Sequence, residues 1–346
     1  MASELVEAAN GFRQRLATRE AQAMRRLARA YGQMYTRLEV DLSALLAQLA
    51  NVDGEIATGT VMRRERIEAL KRQIAQEVNR YGFLADAELD DVTQDALNRA
   101  AADSRRLVQL ALPDGMVEAG VGLRWHRLPR DVIEQLLGFL SPESPMRRAL
   151  TTTLGTEVAD RVADTLVNRV GLGWNPRRIA SEIRRVHGQA LTWSLRTVRT
   201  AQNWAYREAT RASYVANAEV VKGWIWQSAL DNRTCLGCLA MHGTRHGLDE
   251  ELNDHHNGRC VMLPEVVTYK ELGLDVEQEP LDIGNGQEWF EAQGEAVQRE
   301  MMGPGKFEAW KAGKFEFGRL AGHYQDDVYG DMRVEASLKE LLGGAT

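Results

Sequence analysis

Long stretches with helical periodicity and no proline are the feature that most constrains the fold of this chain. Residues 3–50 contain no Pro, and apolar side chains recur there at the spacing of one helix face: Leu16, Ala23, Leu27, Ala30 and Tyr31. Similar patterns predict five further helices: 61–81, 87–112, 148–170, 176–187 and 192–218. Asn175 and Pro176 form a strong start signal for the fourth of these. Helices of this length joined by short turns form hairpins and bundles, so the sequence predicts a mainly α-helical protein.

The pattern changes after residue 218. Residues 220–227 are β-branched and aromatic, which predicts a strand with Trp224 and Trp226 on one face as core residues. A polar loop follows, and short return strands are expected over 261–263 and 266–269. The chain therefore divides into four predicted segments: an extended helical bundle (1–140), an Arg-rich helical core (141–218), a small β-containing module (219–270), and an acidic linker with C-terminal helices (271–346).

Composition excludes several classes of protein. The 346 residues are 44% hydrophobic and 27% charged, which is typical of a globular chain rather than a disordered one. No apolar run approaches the roughly 20 residues that span a bilayer, and we expect no membrane partner. The first residues lack the charged start and apolar block of a signal peptide, and three cysteines cannot build a disulfide framework.

The net charge of −6 is unevenly distributed. Residues 146–215 hold twelve Arg against five acidic residues, whereas residues 246–300 hold fourteen acidic against three basic residues. The spacing of four arginines predicts that they share one helix face, and they are the candidate contacts to DNA phosphates: Arg196, Arg199, Arg207 and Arg211. The alternative is that both charged stretches are solvated surface.

All three cysteines and four of the seven histidines lie close together. Cys235, Cys238 and Cys260 fall within 26 residues, and the spacing reads Cys-x2-Cys-x16-His-x4-Cys with His255. A Cys-x2-Cys turn brings two sulfurs onto one metal, and a later pair of donors closes the tetrahedron typical of structural zinc. Because the loop between has few apolar residues, a metal would replace the missing core. The predicted fold is therefore mainly α, with long N-terminal helical hairpins and a helical middle, followed by a small α+β zinc-stapled module.

Two alternatives remain open at this cluster. His256 fits equally well as the histidine ligand, with the spacing Cys-x2-Cys-x17-His-x3-Cys. The cysteines and histidines are alternatively free groups in an exposed loop without metal. His242 and His246 are expected to lie at the surface or to support the ligands rather than bind metal.

The same residues carry a resemblance to a known family. The stretch from Trp226 to Gly243 contains Asp231-Asn-Arg233-Thr-Cys235-Leu-Gly-Cys238, and His255-His-Asn-Gly-Arg259-Cys260 follows it. Together they resemble the phage head morphogenesis family, the Mu F-like minor head proteins of tailed phages. Members pair D-x-R-T-C-x-x-C-x-x-x-x-G with a later H-P-x-C-R-C. The resemblance covers about residues 154–262, with departures at His256 (family Pro), Gly258 (family Cys) and Ala201 (family acidic residue).

The resemblance implies a structural role rather than an enzyme. It predicts a minor head protein at the portal vertex, acting in head assembly in the host cytoplasm and then residing in the virion. The implied partners are the portal protein, the major capsid or scaffolding protein, and non-specifically bound double-stranded DNA. Alignment on Arg259 and Cys260 selects His255 as the ligand of a structural zinc ion.

An enzymatic alternative rests on the segment from Asp254 to Asn257. Beside a Cys-x2-Cys pair, it superficially resembles the His-Asn-His pattern of metal-dependent nucleases, in which His activates water. A second Cys-x2-Cys is missing, and the nearest downstream histidine, His323, is far away in the sequence. The hypothesis of a Cys–His thiol enzyme has less support, because cysteines at zinc-type spacing are expected to bind metal rather than act as nucleophiles.

Overall fold

The computed structural model describes residues 2–49, 61–113, 115–116, 125, 136, 141, 144, 176–231, 233–273, 275, 277 and 280–343. The helix predicted over 148–170 and the cap residue Asn175 lie outside the described residues. The described chain is mainly helical with small sheets near its C-terminal end, as the sequence predicts. Within the described part, no helix combines the length and apolar character needed to cross a membrane.

Among the described residues, three long helices dominate the first part of the chain. They are α1 (Ala2–Leu49), α2 (Val61–Ala111) and α3 (Pro176–Val215). Two helices were expected in each of the last two stretches, but each forms one continuous helix. A glycine inside a helix is tolerated where no other group needs the space, and Gly82 within α2 has nothing within 4 Å of the position of a Cβ.

The C-terminal part alternates short helices and strands. After β1 (Val221–Gln227) come α4 (Leu236–Met241), β2 (Arg245–His246) and β3 (Val261–Val266). Then follow α5 (Gly286–Glu291), α6 (Glu295–Met302), α7 (Pro304–Lys311) and a 3-10 helix (Phe317–Leu320). The chain closes with β4 (Ala321–Asp326), β5 (Gly330–Glu335) and α8 (Leu338–Leu341). The β4–β5 hairpin is an addition to the helices expected here.

The chain divides into two compact units. The first comprises Met1–Thr18, Thr93–Gly138 and Gln202–Thr346, and the second comprises Arg19–Val92 and Phe139–Ala201. In the second unit, α1 and α2 are linked by ion pairs whose partners run in opposite order along the two helices, such as Arg26–Glu88 at 2.7 Å and Arg37–Glu77 at 2.7 Å. The division into four segments predicted from the sequence is not tested by these units and stays a prediction.

A small antiparallel sheet forms the centre of the first unit. Its strand order is β2–β1–β3, and Ile225 on β1 lies opposite Leu263 on β3. Ile225 and Leu263 pack against Leu5 and Ala9 of α1. Trp224 and Trp226 face the other way and are almost fully buried, with ring centroids 6.1 Å apart, in a cluster that includes Tyr214 of α3. Helices from distant parts of the sequence therefore cover both faces of the sheet.

A second apolar cluster supports the short C-terminal helices. Phe290, Phe307 and Phe317 are buried there and pack with Leu236 and Leu239 of α4. Gly237 on the same helix lies so close to β5 that a Cβ would come within 2.8 Å of the Val334 carbonyl oxygen. Because α4 follows directly on Cys235, the C-terminal segment fixes one side of the cysteine cluster.

Candidate metal centre

The first two cysteines are placed by a polar turn followed by a short helix. The Asp231 carboxylate accepts hydrogen bonds from the Arg233 amide at 3.0 Å and the Thr234 hydroxyl at 3.1 Å. This turn delivers Cys235 to the N-cap of α4, where its sulfur accepts a hydrogen bond from the Cys238 amide at 3.3 Å. The polar residues that precede the cysteines in the sequence motif therefore orient both sulfurs toward the same point.

The second half of the cluster lies in the loop before β3. Asn257 has a φ of +62°, a left-handed conformation that Asn tolerates better than most residues. The turn it forms places His255 opposite the first two cysteines and returns the chain to Cys260, which directly precedes β3. At Gly258, a Cβ would lie 2.0 Å from an Asp254 carboxylate oxygen, so this loop has room only for glycine at that position.

Three of the four predicted ligands converge closely. The His255 Nε2 atom lies 3.2 Å from the Cys235 sulfur and 3.3 Å from the Cys238 sulfur. For comparison, a tetrahedral zinc ion separates its sulfur and nitrogen ligands by about 3.5 Å. Cys260 forms a second close group with Cys238 and Asp254, and all four predicted ligands line one cavity of about 70 Å³. The predicted set is thus assembled around a single space.

The orientation of the His255 ring suits a metal ligand. Its Nδ1 atom lies 2.7 Å from the His256 carbonyl oxygen. A carbonyl oxygen only accepts hydrogen bonds, so Nδ1 carries a proton and Nε2 is the atom directed at the sulfurs. Metal-bound histidines commonly donate their other ring N–H to a carbonyl or carboxylate in this way.

His256 has a different environment. Its Nε2 atom lies 2.9 Å from a carboxylate oxygen of Asp326, on the β4–β5 hairpin. The two candidate histidine ligands are therefore distinguished by geometry, with His255 facing Cys235 and Cys238 and His256 facing an acidic residue.

The buried carboxylate of Asp254 bonds the backbone of the loop before β3. Asp254 is 2% exposed, and its carboxylate accepts hydrogen bonds from the amides of His255 at 2.9 Å and Cys260 at 3.2 Å. The guanidinium of Arg207, on α3, donates to Asp254 at 2.8 Å and to the carbonyl oxygens of Gly258 at 2.7 Å and Cys260 at 3.1 Å. Arg207 therefore ties helix α3 to both ends of the loop.

The supporting contacts were missed at the level of sequence. Asn203, one helical turn before Arg207, donates to the Gly258 carbonyl oxygen at 2.9 Å. Nothing in the spacing of the cysteines and histidines signals that residues about 50 positions upstream hold the loop. The arginine-rich pattern of α3 concealed this role because it was interpreted as a charged surface.

The four arginines predicted to contact DNA have different surroundings. Arg207 is 6% exposed and its guanidinium bonds residues 254, 258 and 260 of the loop before β3, which corrects its assignment to a phosphate-binding face. Arg199 pairs with Glu20 at 2.6 Å, and Arg211 pairs with Glu208 at 2.9 Å. Arg196 is exposed. A buried guanidinium bonded to a carboxylate and two carbonyls cannot reach phosphate without loss of those bonds.

The ionisable groups of the cluster polarise one another. The hydrogen bond with Cys238 lowers the pKa of the Cys235 thiol to about 5, and His255 acts in the same direction against the effect of burial. Burial alone lowers the pKa of His255, but the bond to Cys235 and the charge of Asp254 raise it to about 10. Both pKa shifts favour the charged forms, a thiolate at Cys235 and an imidazolium at His255. A thiolate is the form of cysteine that binds metal.

Opposing effects act on the pKa of the buried Asp254 carboxyl. Burial favours the neutral carboxyl, yet Arg207 and His255 outweigh it and lower the pKa of Asp254. The shared bond with Cys235 and the contact with Cys260 raise the pKa of Cys238, as does its burial. These pKa shifts favour negative charge on Cys235 and Asp254 rather than on Cys238, whose thiol donates to Asp254 at 3.3 Å.

Comparison with known proteins is consistent with this arrangement. Residues 160–263 match the family model described as Phage Mu protein F like protein. This segment is similar to the Mu F-like family. The match confirms the family resemblance over less than half of the chain. No curated protein and no solved structure matches the chain.

The Mu F-like segment contains both halves of the cysteine–histidine cluster. It ends just after Cys260, within β3, and includes Arg207 and Asn203 on α3. From outside the segment, Val108 and Leu112 pack in the same apolar cluster as Cys238 and Cys260, and Asp326 of the C-terminal hairpin bonds His256.

Proposed function

We propose that the protein is a minor head protein of a tailed phage, acting in head morphogenesis at the portal vertex. The observation that carries the proposal is that the Mu F-like segment and the cysteine–histidine cluster coincide in residues 160–263. The protein would act in the host cytoplasm during assembly and then reside in the virion. Its partners would be the portal protein and the major capsid or scaffolding protein.

The cluster would hold one structural zinc ion through Cys235, Cys238, His255 and Cys260. Three observations support the fit: close mutual distances, a histidine presenting Nε2, and a cavity bordered by all four side chains. Sulfur and imidazole donors favour zinc over calcium or magnesium, which prefer oxygen. A bound zinc ion would cross-link the start of α4 to the start of β3.

The role of the metal would be structural because the described ligands come from opposite sides of a loop with little apolar content. Asp254 and Arg207 already bond backbone groups of His255, Gly258 and Cys260, so these contacts orient the loop that carries His255 and Cys260. His255 faces two sulfurs and His256 faces Asp326. This geometry does not favour the nuclease alternative, which needs a histidine directed at water and substrate.

DNA contact is a further proposal, limited to the arginines outside the metal site. Arg196 is exposed, and Arg199 and Arg211 retain 28% and 25% side-chain exposure in their ion pairs. Contacts to phosphate need charge but no base recognition, and they weaken steeply with salt. Binding to duplex DNA that is unchanged between low and moderate salt would contradict this proposal.

The experiment that tests the function is co-expression with the portal protein of the same phage, followed by size-exclusion chromatography and zinc quantitation on the same fractions. Co-migration at a fixed ratio with about one zinc ion per chain supports the proposal. A zinc-containing protein that never co-migrates with the portal protein contradicts the portal association but leaves the metal site intact.

A set of variants separates the metal site from catalysis. Cys235→Ser removes one ligand and should lose bound zinc, whereas Lys270→Ala should retain it because Lys270 is exposed and does not line the cavity. The double variant His255→Ala/His256→Ala tests the nuclease alternative. Zinc loss with reduced folding supports a structural site, while a folded variant that has lost DNA cleavage activity present in the unmodified protein supports the enzyme.

A further inference from the structure

The metal-binding loop, residues 253–260, is attached to the β4–β5 hairpin, which lies beyond the Mu F-like segment. The amide of Arg333, on β5, donates to the carbonyl oxygen of Asn253 at 2.6 Å. Asp254 and Arg333 form a parallel β-bridge, and the Asn253 side chain donates to Asp331 at 3.2 Å. Residues 253 and 254 therefore extend the two-stranded β4–β5 sheet on the side of β5.

The histidine next to the predicted ligand makes a second attachment. The His256 ring lies 2.9 Å from an Asp326 carboxylate oxygen through Nε2, and its edge meets the Tyr329 ring with centroids 5.6 Å apart. The His256 side chain is 24% exposed and that of Asp326 is 13% exposed. The family pattern has proline at this position, so His256 is a departure whose partner lies in the C-terminal hairpin.

The acceptor on the hairpin is itself held in place. The other oxygen of Asp326 accepts hydrogen bonds from the amides of Val328 at 2.9 Å and Tyr329 at 3.0 Å. Gly330 completes this turn with a φ of +76°, which glycine adopts without strain. The Asp326 carboxylate is therefore oriented by its own turn and offers a fixed partner to His256.

We propose that the β4–β5 hairpin holds the metal-binding loop in place, with His256 and Asp326 as positioning residues rather than ligands. The loop is bonded to Arg207 on α3, to β5 at residue 253, and to Asp326 through residue 256. The last two attachments come from outside the matched segment. The proposal deepens the proposed zinc site and rests on it for the effect on metal retention.

The physical basis is pre-organisation. A free loop must lose backbone entropy at each residue that a metal fixes. A loop already held by the hairpin has lost much of that freedom before metal binds. Removal of groups that orient metal ligands typically lowers metal affinity by about 10–100-fold. His256 is adjacent to His255, and its carbonyl oxygen also orients the His255 ring, so displacement of residue 256 moves the ligand directly.

The test uses the full chain and two measurements. The first is the rate of zinc loss to an excess of chelator, and the second is amide hydrogen exchange over residues 253–260 in metal-free protein. His256→Leu removes the bond to Asp326, whereas His256→Gln retains an N–H donor that can reach it. Asp327→Ala is the matched control for Asp326→Ala, because Asp327 is the next residue in the same turn and is exposed.

We expect His256→Leu and Asp326→Ala each to speed zinc loss by about tenfold or more and to raise exchange in the loop. The double variant should lose zinc little faster than the more affected single variant, and His256→Gln and Asp327→Ala should remain close to the unmodified protein. Rates of exchange and zinc loss for His256→Leu that match those of Asp327→Ala would overturn the proposal.

Hydrogen exchange separates the two claims. If the unmodified protein takes up no zinc while His256→Leu still raises exchange over residues 253–260, the metal site is wrong and the attachment by the hairpin is supported. If the protein binds one zinc ion and exchange in the loop is unaffected by His256→Leu and Asp326→Ala, the metal site stands and the role of the hairpin is refuted.

Discussion

Arg207 should be among the residues most sensitive to substitution in the first unit. Arg207→Met keeps a long apolar stem but removes the charge that faces Asp254, whose side chain is fully buried. Breaking a buried ion pair by removal of one partner typically destabilises a protein by about 3–5 kcal/mol, because the remaining charge is left without compensation. The Cys260 carbonyl oxygen also loses a donor, which adds about 1–3 kcal/mol, whereas the Gly258 carbonyl oxygen keeps its hydrogen bond from Asn203.

These contributions predict a loss of about 4 kcal/mol or more in the free energy of unfolding. Arg211→Met is the matched control, four residues along the same helix. Arg211 pairs with Glu208 at 2.9 Å with 25% of its side chain exposed, and a partly exposed pair of this kind contributes less than about 1 kcal/mol. The two substitutions remove the same chemical group, so a large difference between them isolates the effect of burial.

The assay is urea denaturation followed by tryptophan fluorescence at a fixed zinc concentration, since Trp224 and Trp226 lie in the same cluster as Cys238 and Cys260. Asp254→Asn in the Arg207→Met background should remove the uncompensated charge, so the double variant should be less destabilised than the sum of the two single variants. We expect a coupling of about 1–3 kcal/mol. An Arg207→Met protein within about 1 kcal/mol of the unmodified protein would refute the buried role of Arg207.

Three further predictions concern packing, pH and metal. Gly258→Ala places a Cβ 2.0 Å from the Asp254 carboxylate and should destabilise the protein by about 1–3 kcal/mol in thermal or urea unfolding. The control is Gly82→Ala, inside α2 with open space around it, which should be neutral or stabilise the protein by up to about 1 kcal/mol. Burial lowers the pKa of His242 below its ordinary value of 6.5. Because this histidine therefore binds a proton more readily in the unfolded chain, stability should fall from pH 7 to pH 5. His242→Gln, which can accept from Ser228 and donate to the Ile283 carbonyl, should make that fall shallower in melting curves, and an unchanged slope would contradict it. Removal of metal by a chelator should lower the melting temperature of the unmodified protein and leave that of Cys235→Ser unaffected; equal shifts would argue against the site.

Much of the fold was predictable because helical periodicity is a local property. The positions of α1, α2 and α3 follow from apolar spacing, and β1 follows from its β-branched and aromatic residues. The predicted breaks within α2 and α3 were wrong. Gly82 and Gly188 are tolerated inside these helices, where no other group lies within 4 Å of the position of a Cβ. The β4–β5 hairpin was missed because successive residues His323 and Tyr324 are both exposed, so its strands lack the alternation that marks a half-buried strand.

The cysteine–histidine cluster was predictable from spacing, but its surroundings were not. The choice between His255 and His256 depends on Asp326, which lies 70 residues further along the chain. The role of Arg207 depends on burial, which a pattern of charges along one helix does not encode. Residues that bind metal occupy characteristic spacings, whereas the groups that hold them in place need only be close in space.

Zinc content combined with X-ray absorption at the zinc edge tests the proposed metal site. We expect one zinc ion per purified chain, with three sulfur ligands at about 2.3 Å and one nitrogen ligand at about 2.0 Å. Cys235→Ser should lose the metal or replace one sulfur with oxygen or nitrogen. A folded, fully reduced protein that takes up no zinc, and whose three cysteines all react with a thiol reagent equally fast with and without zinc in the buffer, would contradict it.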